Sequence, residues 1–236
     1  MNKPPLPDTA GLRGNYGAMG ADWTVKQPAN GYGAEDHDTW RALLRRQTLL
    51  AQRHACPEFL DGLAALQLNE HIPDFERASD VLERRTGWRI VGVPGLISDD
   101  AFYGHLAARR FPVTPWIPRR DEIDYIVEPD MFHDFFGHVP LLANPVFAPY
   151  KRAYGRAGGE AGPPNVPRLA RLYWYTVEFG LIRTSDGPKI YGAGIISSAK
   201  ETLYAIESDV PTRLPFDAKR VMRTAYEIDK LPRSYF

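Results

Sequence analysis

Three prolines at three-residue intervals, Pro112, Pro115 and Pro118, constrain this chain most, because each removes a backbone donor and clashes with the turn before it. Residues 111–127 are therefore expected to be extended and loop-like. They separate a helical first third from the segment with the densest chemistry. Upstream, Trp40, Leu43, Leu44, Gln47, Leu50 and Ala51 recur at helical spacing from Ala34 onward, which predicts an amphipathic helix that stops before Pro57. Shorter helices follow around Phe59, Leu60, Leu63 and Leu66, and around Phe75, Ala78, Val81 and Leu82, the second ending at Gly87. Residues 88–93 form a β-rich run closed by Pro94-Gly95, and Ser98-Asp99-Asp100 caps a helix that reaches about Arg110. Residues 1–33, rich in Gly, Pro, Asn and Asp without a sustained period, read as an irregular arm in which Asp22-Trp23-Thr24-Val25 docks.

After Pro140, Asn144-Pro145 caps a helix expected to fade into residues 155–167, and the next helix, about 167–183, carries Glu178. Ser185-Asp186-Gly187 is a turn, Gly192-Ala193-Gly194 marks a close backbone approach, and Ser197-Ser198 heads a helix through about Glu207. The fold class is mainly α, an α+β chain with a few short strands, and residues 34–236 form one domain.

With 236 residues, 44% of them hydrophobic and 25% charged, one substantial core is the natural outcome. No apolar run approaches the roughly 18 residues of a membrane span. A formal net charge of zero, with both signs interspersed, gives no footprint for nucleic acid or anionic lipid and points to a small substrate. The single cysteine, Cys56, excludes an internal disulfide and multi-cysteine metal sites, and the N-terminus lacks the features of a secretory signal, so a cytoplasmic protein is expected.

The chemistry concentrates in Glu128-Pro129-Asp130-Met131-Phe132-His133-Asp134-Phe135-Phe136-Gly137-His138-Val139-Pro140. Histidines five apart on an ideal α-helix diverge by roughly 140°, which excludes the zinc-protease helix with its four-residue spacing. The pair meets one ion only if the helix loosens at His138, and Gly137 with Pro140 mark such an end. On spacing alone, either histidine could equally be a packing residue. Glu178 shares a helical stripe with Trp174 and Tyr175, where a buried carboxylate demands a cation, either a metal or an arginine. Two imidazoles and one carboxylate form the ligand set of non-haem Fe(II) oxygenases.

Together with Tyr173-Trp174-Tyr175-Thr176-Val177-Glu178-Phe179-Gly180 and Tyr191-Gly192-Ala193-Gly194-Ile195-Ile196-Ser197-Ser198, the central motif resembles the pterin-dependent aromatic amino acid hydroxylases, most of all their short bacterial phenylalanine 4-hydroxylase branch. The resemblance runs from about Asp22 to the C-terminus and implies a single catalytic domain that hydroxylates L-phenylalanine to L-tyrosine. It implies Fe(II) held by His133, His138 and Glu178, with O2 and a tetrahydropterin (tetrahydrobiopterin or a related bacterial pterin) as co-substrates. The pterin would lie against Gly95, Leu96 and Ile97, with Phe102 stacking on it, Tyr173 lining the other approach and Asp134 nearby. Phe132, Phe135, Phe136, Trp174, Tyr175 and Phe179 can supply the dry cavity such chemistry needs.

The substrate carboxylate calls for a guanidinium. Counted back from Tyr125, the family's arginine falls on Pro118, so the role passes to Arg119, held by Asp130, with Ser197 near the substrate or a ligand histidine. Ile126-Val127 replaces a Thr-Pro of the animal enzymes. Ile228, apolar and near the C-terminal pocket strand, suits an unhydroxylated ring. Tryptophan or tyrosine as substrate, a zinc hydrolase on the same His2Glu set, and a non-catalytic metal module are the alternatives. The sequence has no room for a regulatory domain or tetramerisation helix, so a monomer is expected.

Overall fold

The computed structural model describes residues 12–29, 31–123, 128–228 and 230–236. The helical first third forms as the periodicity requires. Helix α1 (Ala34–His54) buries Trp40, Leu43, Leu44, Gln47 and Ala51 on one face, α2 (Pro57–Leu66) starts with proline at its first turn, and α3 (Phe75–Thr86) ends at Gly87 with φ 75°. Strand β1 (Arg89–Gly92) pairs in parallel with β2 (Arg110–Val113), and α4 (Asp99–Ala107), capped by Ser98, crosses between them.

Here the structure differs from expectation. Helix α4 stops at Ala107 because Arg109 turns to φ 58° and hands Arg110 to the strand. Pro112 sits inside β2 opposite Val91, so only the remainder of the proline-spaced stretch is loop. The arm also packs: Tyr16, Met19 and Trp23 form a small buried cluster with Val25, Ile97 and Ala101.

Downstream, a π-helical stretch, Phe132–His138, runs straight into α5 (Val139–Leu142). Helix α6 (Phe147–Glu160) does not fade at Gly155. Its glycines serve packing instead: a Cβ at Gly155 would stand 2.5 Å from Ala107 N, and one at Gly158 2.1 Å from the Tyr103 ring, so α6 lies directly on α4. Helix α7 (Val166–Tyr173) continues as a second π-helical stretch, Trp174–Glu178, and then gives way to the hairpin β3 (Leu181–Thr184) and β4 (Gly187–Ile190). Helices α8 (Ala193–Ile196) and α9 (Ala199–Glu207), the short strands β5 (Thr212–Arg213) and β6 (Ser234–Tyr235), and α10 (Ala218–Val221) complete the chain. One core, from Trp40 and Phe59 through Phe135, Phe136 and Ile196 to Tyr235, spans the molecule, so the fold is mainly α with short two-stranded sheets. Among the described residues no helix is long and apolar enough to cross a membrane.

Candidate metal centre

Both motifs that carry the ligand candidates are wound as π-helix. Bonds from residue i+5 to residue i widen the turn, so residues five apart come onto one face. The Phe179 amide donates to the Trp174 carbonyl at 2.8 Å in this way. The spacing that turns His133 away from His138 on an α-helix therefore brings them together: their ring centroids lie 5.1 Å apart with planes at 89°. The sequence placed His138 at a helix end, but the helix continues through α5, and the widened winding does the work instead.

Glu178 enters from the second π-stretch. Its carboxylate lies 3.1 Å from His138 Nε2 and 3.6 Å from His133 Nε2, and one ligand atom from each residue falls within 4.8 Å of the others. Gly192 and Gly194 let the chain pass close behind, since a Cβ at Gly192 would sit 2.5 Å from the Glu178 carbonyl. The His133 side chain keeps 25% of its surface exposed against 4% for His138, so approach is from the His133 side.

The partners of the two Nδ1 atoms decide what the rings offer a metal. Ser197 Oγ lies 3.0 Å from His133 Nδ1 and donates its own proton to the Ala193 carbonyl at 2.8 Å. The hydroxyl oxygen must then accept from His133, which puts the ring proton on Nδ1 and leaves the Nε2 lone pair free. Lys151, fully buried, sits 3.1 Å from His138 Nδ1 and 4.1 Å from the Phe111 ring centroid. A metal on His138 Nε2 requires the proton on Nδ1, and Lys151 accepts it only as the neutral amine. Burial lowers the lysine pKa in that direction, against the pull of Glu178 and Asp134. Burial likewise pushes His133 down to about 4, with Glu178 opposing, and holds His138 well below its ordinary value, Lys151 adding to the effect. Both rings are neutral at pH 7, the form that ligates. Burial raises the pKa of Glu178, opposed first by His133 and then by Lys151 and the Gly194 amide. Neutral imidazoles and a desolvated carboxylate, converging without an arginine among them, fit a single divalent metal ion.

Asp130 caps the first π-stretch, its Oδ1 accepting from the Phe132 and His133 amides at 2.6 and 3.0 Å. Burial raises it to about 6 despite those bonds. Asp134 turns inward, where Oδ2 accepts from the Thr114 amide and hydroxyl at 2.8 Å each, and burial raises it to about 7. Phe102 and Tyr173 meet edge-to-face at 5.5 Å, and Tyr173 lies 6.3 Å from the His138 ring. Leu96 is exposed, Ile97 packs with Tyr16 and Trp23, and a Cβ at Gly95 would stand 2.7 Å from the Tyr16 hydroxyl. Trp174 stacks on Tyr226 at 4.4 Å and meets Phe179 at 4.5 Å.

Two residues singled out in the sequence lie away from the expected partners. Arg119 is 67% exposed and turned outward onto Glu122 at 2.6 Å and Asp121 at 3.7 Å, which the turn at residues 120–123 brings beside it, rather than onto Asp130. Ile228 is 77% exposed. Tyr125, Ile126 and Val127 lie outside the described residues. The remaining histidines have packing or surface partners, such as His54 with Glu207 and His105 with the Asp22 carbonyl, and burial pushes the Cys56 thiol up to about 11. Sequence reasoning missed Lys151. Its signal was available: it sits four after Phe147 and three before Tyr154, a cation inside a buried helical stripe.

Two imidazoles and a carboxylate on one face, approached from one open side, define a mononuclear metal site of the non-haem oxygenase type. The chain belongs to the biopterin-dependent aromatic amino acid hydroxylases, a family that matches residues 18–236. It is 54% identical to the phenylalanine-4-hydroxylase of Ralstonia nicotianae over 91% of this chain and 69% of that protein. It is 53% identical to that of Chromobacterium violaceum over 91% and 73%. The crystal structure of the C. violaceum phenylalanine hydroxylase with bound iron(III) and oxidised 7,8-dihydrobiopterin superposes with a TM-score of 0.89 at 53% identity, covering 91% of this chain and 79% of that one. Its iron- and phenylalanine-bound form gives 0.89 at 51%, covering 97% and 82%.

Proposed function

We propose that this enzyme hydroxylates L-phenylalanine to L-tyrosine with O2 and a tetrahydropterin, using non-haem Fe(II) held by His133, His138 and Glu178. The observation that carries the reading is the convergence of those three side chains within 4.8 Å from two separate π-helical stretches, in a chain about half identical to phenylalanine hydroxylases. Iron and pterin, when bound, supply the activation of O2. The chain's own residues prepare the rest. Ser197 holds the His133 proton at Nδ1, neutral Lys151 accepts the corresponding hydrogen bond from His138 Nδ1–H, and Asp130 anchors the turn that aims His133.

Gly95, Leu96 and Ile97 with Phe102, Tyr173 and Asp134 form the pterin's surroundings, and Trp174 and Phe179 offer an apolar wall to the substrate ring. The cluster Phe132, Phe135 and Phe136, buried behind the ligands, excludes water from that side. Residues 34–236 act as one catalytic domain with the preceding residues as its arm, and the enzyme works as a cytoplasmic monomer. Light scattering on the purified protein tests the last point.

Purified protein supplied with Fe(II), tetrahydropterin and phenylalanine under air should form tyrosine, and none without O2. Hydroxylation of tryptophan or tyrosine in place of phenylalanine would overturn the substrate. Failure to consume pterin with any aromatic amino acid would overturn the reaction, and metal-dependent hydrolysis without O2 would put a zinc hydrolase in its place.

A further inference from the structure

We propose that Arg13, from the N-terminal arm, is the guanidinium that receives the substrate's carboxylate, an assignment that rests on the reading of the chain as an amino acid hydroxylase. A free amino acid brings a carboxylate that arginine holds with two parallel hydrogen bonds. Two other cations are already occupied. Lys151 is enclosed beneath His138 and committed to its Nδ1 and to the Phe111 ring. Arg119 is turned outward on Asp121 and Glu122. Pro118, just before it, carries no charge.

Arg13 is placed differently. Its backbone N–H donates to Oε1 of buried Glu128 at 2.7 Å, its guanidinium carbon lies 4.9 Å from the Trp116 ring centroid, and its Nη1 pairs with Glu122. The surface it rests on is fastened to the ligand helix. The Trp116 carbonyl accepts from the Met131 amide at 3.0 Å, and Thr114, two residues earlier, holds Asp134. Glu128, which the Arg13 backbone holds, stands two residues before Asp130, the cap of the His133 turn. The side chain keeps 35% of its surface exposed, so a ligand can reach it. Among the described residues the ion pair with Glu122 engages Nη1 alone, leaving Nε and Nη2 for a two-pronged hold.

Equilibrium binding tests the assignment without turnover. Binding of L-phenylalanine and of L-phenylalaninamide, which has no carboxylate, is measured by calorimetry on anaerobic Fe(II)-loaded protein. The wild type should prefer phenylalanine by about 10- to 100-fold, the range of a hydrogen-bonded charge. Arg13→Ala should collapse that preference to near unity by losing phenylalanine affinity and keeping that of the amide, and Arg13→Lys should retain part of it. An equal loss for both ligands would make Arg13 a mere strut for Trp116 and Glu128 and overturn the proposal, as would unchanged phenylalanine affinity in Arg13→Ala. Failure of the wild type, folded by its melting curve, to bind phenylalanine at all would overturn the hydroxylase reading and this assignment with it.

Discussion

The ligand side of the site and its mouth are held by different kinds of interaction. His133, His138 and Glu178 are fixed from behind by Ser197, Lys151 and the Gly194 amide, all buried or half-buried, and each bond has one possible direction once a metal is present. The mouth is drawn together from 109 to 115 residues away in sequence, by Arg13 reaching Glu122 and Glu128, with Trp116 beneath. Its ion pairs are part-exposed and weak. Chemistry is thus assigned to a preorganised wall, and recognition to a face whose charges can change without disturbing that wall.

The largest effect that would break this division is at the wall itself. His138→Ala should lose iron, read by metal analysis, and lower tyrosine formation by at least ~10³-fold, the several kcal/mol a bound metal contributes. Wild-type iron content in that variant would remove His138 from the ligand set. Next, Ser197→Ala frees His133 to take the wrong tautomer and should weaken Fe(II) binding by about 10- to 100-fold while the melting temperature holds. Unchanged iron affinity there would show that the hydroxyl does not set the ring.

Helix α9, which starts just after Ser197, offers a third test. Glu201 accepts from the Tyr235 hydroxyl at 2.8 Å, and burial raises its pKa to about 7, the tyrosine bond opposing. That value lies above the roughly 4.3 of an unfolded glutamate, so the folded chain keeps a proton that the unfolded chain releases. The stability this contributes is present below pH 4 and is lost as pH rises through 7. Glu201→Gln should therefore melt with little pH dependence from this position and gain on the wild type between pH 5 and 8, by at most ~3 kcal/mol. Parallel melting curves for the two proteins across that range would refute the shift. Smallest is the mouth: Glu122→Gln, which frees Arg13 and Arg119 together, should move the melting temperature by no more than about 2 °C. A larger drop would mean that the mouth is structural after all, and would erase the contrast.

Much of the scaffold could be read from the chain because helical periodicity and caps are local. Trp40 to Ala51, Ser98 and Gly87 each acted within a turn of themselves. Gly155 and Gly158 misled because a helix breaker and a close-packing residue look alike until the partner helix, here α4, is known. The five-residue spacing of the histidines was legible as a difficulty but not as its solution. A π-turn is stabilised by what surrounds it, and α8, far downstream in sequence, packs on the first stretch. A Cβ at Gly137 would come within 2.9 Å of the Ala193 carbonyl. Arg13 was invisible for the same reason, since nothing within its own arm announces Trp116 or Glu128.

The widened turn at Phe132–His138 has a consequence for the core as well as for the metal. A helix that carried the two histidines with ordinary winding would have to choose between aiming them together and keeping its apolar positions in step with its neighbours. One broad turn resets the phase. His133 and His138 share a face, and immediately afterwards Val139, Leu141 and Leu142 are buried, with the Pro140 carbonyl so close to α2 that only a glycine, Gly62, fits opposite. The same few residues thus serve two rhythms. Rewound as ordinary α-helix at its present length, the stretch would rotate the hydrophobic seam and part the two ligands in the same movement.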